Sequence, residues 1–317
     1  MPNMRVLLSI ALSVLAAVAW AVPVTGAARF FAGARARQAR QFRRTSTVPQ
    51  PARFRVDADR GLLVSSWVNG RGPYVFVLDT GAGLNVVSER LVSAAGLRIT
   101  QTRQTVVGGL SGVTTASNRE AAIDTLALGY QNNRLPPGQS ALIVSYLPEG
   151  IDGILDPTEA FAPYGYSIDM PRGEIAAFDD VAESSHRSST DGATVEWLRR
   201  GDSDRPFVKL GDGRLALIDT GSRFGLAVSD RQAIVVSRNR TPHTIPSLDL
   251  GGGIVNARRV APTTISIGEL VLRGIPTDIV SGAAADVPLI LGRDALYPFK
   301  MSFDPRRRLI DFSTSER

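Results

Sequence analysis

The chain repeats itself. Residues 56–180 and 195–317 carry two copies of one pattern, and each copy opens with two apolar strands joined by a glycine-containing turn. In the first copy Leu62 to Val68 and Tyr74 to Leu78 flank Asn69-Gly70-Arg71-Gly72-Pro73. In the second, Pro206 to Leu210 and Arg214 to Ile218 flank Gly211-Asp212-Gly213. Each second strand runs straight into one tripeptide, giving Asp79-Thr80-Gly81-Ala82 and Asp219-Thr220-Gly221-Ser222, 140 residues apart. A duplicated unit of this kind is expected to form two lobes about a pseudo-two-fold axis, and the short strands and tight turns make the class mainly β.

The parallel runs on through each copy. Val86-Val87-Ser88 answers Ala227-Val228-Ser229, and a glycine-rich hairpin follows in both, at Gly108-Gly109-Leu110-Ser111-Gly112 and at Gly251-Gly252-Gly253. Ile151-Asp152-Gly153-Ile154-Leu155-Asp156 then matches Pro288-Leu289-Ile290-Leu291-Gly292-Arg293-Asp294, so after the apolar pair Asp156 stands where the second copy has Gly292. Tyr166-Ser167-Ile168-Asp169-Met170 finally matches Met301-Ser302-Phe303-Asp304-Pro305. Brief helices are expected near residues 88–95 and 157–162 and at their counterparts, and the polar stretch 181–194 reads as the linker between lobes.

Composition narrows the chemistry. The chain has 317 residues, no cysteine and two histidines, His186 and His243, so thiol catalysis and a disulfide scaffold are excluded and a metal site is not expected. The net charge of +6 is misleading, because nine of the 36 Lys+Arg lie in residues 1–55, which contain no acid. Residues 56–317 hold 27 basic and 30 acidic side chains, which argues against nucleic acid as a partner.

The N-terminal segment has a different character. Arg5 precedes an uncharged run of 19 residues from Val6 to Val24, and Ala19-Trp20-Ala21 has the small residues of a cleavage site. Residues 1–28 therefore read as a signal peptide or a membrane anchor, the run being long enough to span a bilayer. Export to a periplasmic or extracellular location is the expectation. The Arg29, Arg35, Arg37 and Arg40 that follow oppose export, and an organelle transit peptide has a similar composition. Residues 29–55 read as an Arg-rich disordered linker or prosegment.

Two carboxylates on equivalent turns, one per lobe, would meet at the axis. Like charges that close cannot both ionise, so Asp79 and Asp219 would share one proton and present an acid and a base together. Such a pair can activate a water between the carboxylates and protonate a substrate carbonyl as it becomes tetrahedral, hydrolysing an amide without metal or cofactor. Thr80 and Thr220 would tie the turns together across the axis. Gly81 and Gly221 would permit the tight backbone.

The two apolar-apolar-Asp-Thr-Gly-Ala/Ser motifs, the glycine-rich hairpin and the later apolar-apolar-Gly element resemble the aspartic peptidases, over nearly all of the chain outside the N-terminal segment. Short lobes without disulfides resemble the retropepsin type more than pepsin. The resemblance implies a bilobal acid-protease fold of two β-barrel lobes, at 56–180 and 195–317. It implies Asp79 and Asp219 as catalytic dyad, supporting turns at Thr80, Gly81, Ala82, Thr220, Gly221 and Ser222, and a flap at Gly108, Gly109, Leu110, Ser111 and Gly112 closing over an extended polypeptide. The function so implied is that of a monomeric endopeptidase. A non-catalytic peptide-binding or assembly protein, and a homodimer using only the first lobe, are the alternatives.

Overall fold

The computed structural model describes residues 48–111, 114–179, 192–201, 203–233, 244–248, 254–281, 283 and 287–314. Residues 1–28, read above as a signal peptide or anchor, both histidines and Gly251-Gly252-Gly253 lie outside the described residues. Among the described residues no helix is long and apolar enough to cross a membrane.

Each lobe is organised around the strand that ends at its aspartate. Gly61–Val68 and Arg71–Leu78 form a hairpin whose two-residue turn places Asn69 at φ 50 and Gly70 at φ 74. That left-handed pair matches the natural twist of the flanking strands. The Asn69 side chain then accepts from the backbone of Asp124 and Thr125 at 3.0 and 3.1 Å, fastening the turn to the rest of the lobe. Arg71–Leu78 starts exposed and ends buried, because its last residues are covered on both faces. There it pairs in parallel with Gly153–Leu155, Leu78 opposite Leu155. The second lobe repeats the arrangement with Leu215–Ile218 parallel to Leu289–Leu291, Ile218 opposite Leu291.

The lobes are joined by a shared platform. Its strand order is Gly192–Glu196, Leu309–Thr314, Phe299–Asp304, Gly165–Asp169, Glu174–Phe178, Ala52–Asp57. The two central strands come from different lobes and are antiparallel, with Ser167 opposite Ser302. Those serines hold the same place in the two repeats, so the pseudo-two-fold passes between them. Aromatic side chains fill the space above: Tyr166 stacks on Phe303 with centroids 4.7 Å apart, and Trp197 meets Phe303 edge-on at 6.0 Å. One apolar core runs through both lobes.

Three expectations are corrected. The lobes are not barrels: among the described residues the strands form two open sheets, because each lobe sends strands away to the platform instead of closing on itself. Residues 52–55, assigned by composition to the disordered linker, belong to the strand Ala52–Asp57, which pairs with Glu174–Phe178 and Gly61–Val68. Its Ala52 and Phe54 are buried while Arg53 and Arg55 face solvent, a period of two that the arginines concealed. Likewise residues 192–194 are not linker but the start of Gly192–Glu196, which pairs with Leu309–Thr314. Helices occur at Glu89–Ala95, at Pro157–Ala160 and at the counterpart of the latter, Arg293–Leu296, while the expected counterpart of the first, after Ser229, falls mostly outside the described residues.

Candidate active site

The two Asp-Thr-Gly turns meet at the pseudo-two-fold axis, and both aspartates and both threonines are fully buried. Each aspartate is fixed from its own lobe. The Asp79 amide donates to Leu155 O and the Asp219 amide to Leu291 O, both at 3.0 Å, so each carboxyl sits directly beyond the end of a parallel strand pair. Asp79 Oδ1 accepts from the Gly81 amide at 2.8 Å, and Asp219 Oδ1 from the Ser222 amide at 3.0 Å. Among the described residues the Oδ2 atoms of both have no other partner.

The threonines lock the turns reciprocally. Thr80 Oγ1 donates to Ile218 O at 2.7 Å and accepts from the Thr220 amide at 3.1 Å. Thr220 Oγ1 donates to Leu78 O at 3.0 Å and accepts from the Thr80 amide at 3.1 Å. Four buried hydrogen bonds therefore cross between lobes, all through two hydroxyls.

The glycines serve a purpose other than backbone freedom. Neither Gly81 nor Gly221 has a left-handed φ. A Cβ on Gly81 would lie 2.7 Å from Asp219 Cγ, and one on Gly221 would lie 2.4 Å from Asp79 Cγ. Each glycine is thus the floor beneath the other lobe's carboxyl, and any side chain there would push the dyad apart. Ala82 and Ser222 complete the turns and are fully buried.

Burial governs the electrostatics. Loss of solvation pushes Asp79 above the ordinary carboxylate range and Asp219 well above it, the charge of Asp79 adding to the effect on Asp219. The pair therefore keeps a proton at pH values where an exposed aspartate has lost it, and it titrates as a pair.

Two buried arginines moderate this, and sequence reasoning missed both. Arg293 donates from Nη1 to Gly221 O at 2.9 Å and Thr220 O at 3.3 Å, and from Nη2 to Ala58 O at 3.0 Å, so it clamps the second turn to the first lobe. Arg205 lies with its guanidinium 5.6 Å from the Phe207 ring centroid and its stem against Gly83, four residues beyond Asp79. Both positive charges favour ionisation of the dyad and oppose the effect of burial. Arg293 was signalled by its place directly after Gly292. Arg205 gave no signal, since an arginine beginning a hairpin strand reads as a solvent-facing residue.

Asp156 takes the place of Gly292 without disturbing the strand beside Asp79. Its amide donates to Asn85 Oδ1 at 3.0 Å, and its carboxylate caps the helix Pro157–Ala160 by accepting from the Thr158 amide at 3.0 Å. Burial raises its pKa well above normal, with the neighbouring Glu159 contributing. The second lobe has no room for such a residue: a Cβ on Gly292 would lie 2.5 Å from Phe224 O.

The hairpin expected as a flap is formed by Arg98–Gly108 and Thr114–Ile123, with Gly108 opposite Thr114. Gly108, Gly109 and Leu110 are buried, Ser111 is partly exposed, and Gly112 lies outside the described residues. Among the described residues no group of three His, Asp or Glu side chains is placed to hold a metal ion.

Two lobes about a pseudo-dyad, with one Asp-Thr-Gly turn from each meeting at the axis, define the architecture of the bilobal aspartic peptidases. Residues 64–155, the heart of the first lobe, match the family model described as aspartyl protease. That match spans the first Asp-Thr-Gly turn, and the second lies beyond it in the same polypeptide. Among solved structures it resembles conglutin gamma, a unique basic 7S globulin from lupine seeds, at 12% identity and a TM-score of 0.52, over 86% of this chain and 96% of that one. It also resembles an aspartic proteinase from Irpex lacteus at 12% identity and a TM-score of 0.52, over 84% and 97%. At that identity the likeness establishes the fold. No curated protein matches the chain in sequence.

Proposed function

We propose that the chain is an aspartic endopeptidase that hydrolyses polypeptides with Asp79 and Asp219. The observation that carries this is the dyad itself: two fully buried carboxyls on paired Asp-Thr-Gly turns, each with Oδ2 unpartnered and both held above the normal carboxylate range. With one proton between them, the ionised carboxylate takes a proton from water as the water attacks the scissile carbonyl. The protonated partner donates to the carbonyl oxygen as it becomes tetrahedral, and collapse of that intermediate hands a proton to the leaving amine. Thr80, Thr220, Gly81 and Gly221 hold the geometry and Arg293 anchors the second turn.

Because both aspartates come from one chain, a monomer contains the whole proposed site. A homodimer built on the first lobe is not needed. Residues 1–28 are proposed to direct export or anchor the protein, with the lobes acting outside the cytoplasm.

Cleavage of an unfolded protein by the full chain between pH 3 and 8, with Asp79→Asn and Asp219→Asn alongside, tests the reading. Loss of cleavage in both variants, and a parent rate that falls as the shared proton is lost at higher pH, is the expected result. Full activity in either variant refutes the dyad. The second reading, a peptide-binding protein on the same fold, draws on the complete enclosure of the dyad and on a structural likeness to a seed globulin. It predicts peptide capture without cleavage, unchanged by either substitution.

A further inference from the structure

The peptide unit between Leu155 and Asp156 is held at both ends. Its carbonyl accepts the Asp79 amide at 3.0 Å, and its N–H donates to Asn85 Oδ1 at 3.0 Å. The second lobe repeats the device around Asp219. There Leu291 O accepts the Asp219 amide, and the Gly292 N–H of the same peptide unit donates to Gly225 O, both at 3.0 Å. Asn85 and Gly225 each stand six residues after the aspartate of their own lobe. One lobe thus uses a side-chain carboxamide where the other uses a backbone carbonyl. Position 225 has no room for a side chain, because a Cβ there would run into Pro276 O.

The carboxamide of Asn85 is itself fixed. Asn85 is 2% exposed, and its Nδ2 donates to Ser140 O at 3.3 Å and to Gln139 Oε1 at 3.4 Å. Its backbone carbonyl accepts the Leu142 amide at 2.9 Å. Gln139 in turn donates to Pro136 O and Ala160 O, both at 2.9 Å, so this buried chain of amides ends on the helix that Asp156 caps.

We propose that Asn85 is the positioning residue of the first aspartate: by holding the Leu155–Asp156 peptide plane it fixes the carbonyl that sets where Asp79 stands against Asp219. A peptide plane turns as one unit, so loss of the Oδ1 partner lets the plane tilt and carry Leu155 O with it. The other anchor of Asp79, the Gly81 amide, belongs to the same turn and moves with it. The effect on hydrolysis rests on reading Asp79 and Asp219 as a catalytic dyad, whereas the effect on the Asp79 amide does not.

Asn85→Leu removes the acceptor at nearly constant volume. Misplacing a reacting group costs about 10- to 100-fold in rate, so kcat for an unfolded protein is expected to fall by that factor with KM within about threefold of the parent's. Losing one buried hydrogen bond speeds local amide exchange about 10- to 100-fold. By NMR that rise is expected at the Asp79 amide and not at the Asp219 amide, nor at the Ser88 amide of the same lobe, which donates to Asp152 O at 3.0 Å. Asn85→Asp keeps an acceptor for the Asp156 amide and, protonated at acid pH, a donor for Gln139; it is expected to restore both readouts. Asn85→Ala, which leaves room for a water, is read in the same way if the leucine variant does not fold. Equal rises at Asp79 and Ser88, an unchanged Asp79 amide, full kcat in a protein that cleaves, or an aspartate variant as impaired as the leucine one overturns the proposal. If exchange behaves as expected while the parent cleaves nothing at any pH, the positioning of Asp79 stands and the catalytic reading falls.

Discussion

Replacing Thr220 by valine keeps the shape of the side chain and deletes one hydroxyl. That hydroxyl is the partner of two groups in the other lobe, Leu78 O at 3.0 Å and the Thr80 amide at 3.1 Å, and both residues are fully buried. Water cannot reach either group without opening the joint. An orphaned buried donor or acceptor costs about 1–3 kcal/mol, so the variant should lose about 2–5 kcal/mol once the small gain from burying a methyl is allowed for. With a urea slope of about 2–3 kcal/mol/M, the midpoint should fall by about 1–2 M. Thr220→Ser retains the oxygen and should lose less than about 1 kcal/mol. Thr80→Val, which strands Ile218 O and the Thr220 amide, should match Thr220→Val because the two hydroxyls are equivalent. Equilibrium urea unfolding followed by tryptophan fluorescence and by circular dichroism would measure all three. A loss under about 1 kcal/mol in either valine variant, or a serine variant as weak as the valine one, would refute the claim that these hydroxyls weld the lobes.

Two further outcomes follow from the site. The folded protein keeps a proton on the dyad that the unfolded chain releases, so this stabilising contribution is complete below the ordinary aspartate range and is lost as pH rises through the raised folded values, at up to about 1.4 kcal/mol per pH unit for each proton. Asp219→Asn should flatten that decline and be more stable than the parent at pH 7, and denaturation at pH 4 and pH 7 would expose the reverse if it holds. Gly292→Ala should cost more than about 2 kcal/mol because its Cβ would meet two backbone oxygens, Phe224 O at 2.5 Å and Ser222 O at 2.8 Å. Asp156→Ala, at the equivalent position, should lose only its helix cap, about 1 kcal/mol; equal losses at the two sites would show that the lobes do not differ there.

The parts of the site that were legible in the sequence were those whose pattern recurs in both halves of the chain. Asp79 and Asp219 stood out because identical strand-turn contexts surround them, and the platform strands because Ser167 and Ser302 sit in matching pentapeptides. What was hidden lies where contacts cross between lobes or where composition overrides pattern. Arg205 reaches Gly83 from more than 120 residues away in sequence, and no local spacing marks such a contact. Gly81 and Gly221 were expected for their dihedrals, yet what excludes a side chain at each is a carboxyl 140 or so residues distant. The strand Ala52–Asp57 was masked by arginines whose alternation with Ala52 and Phe54 was short and charged. Open sheets in place of barrels were a matter of which strands the lobes share, a choice made only when both copies are present.

The platform also sets an order of events at the ribosome. Gly165–Asp169 and Glu174–Phe178 leave the tunnel with the first lobe, but the partner of Gly165–Asp169 is Phe299–Asp304, near the far end of the chain. Through synthesis of the whole second lobe that strand has one row of amides and carbonyls unpaired, an edge open to any strand that arrives first. The neighbour most able to satisfy it is the same strand of another nascent first lobe, related by a two-fold axis like the one the finished chain builds internally. Chains that stall or are cut before residue 299 should therefore be caught pairing with each other, and completion of the last two strands is what makes the molecule self-contained.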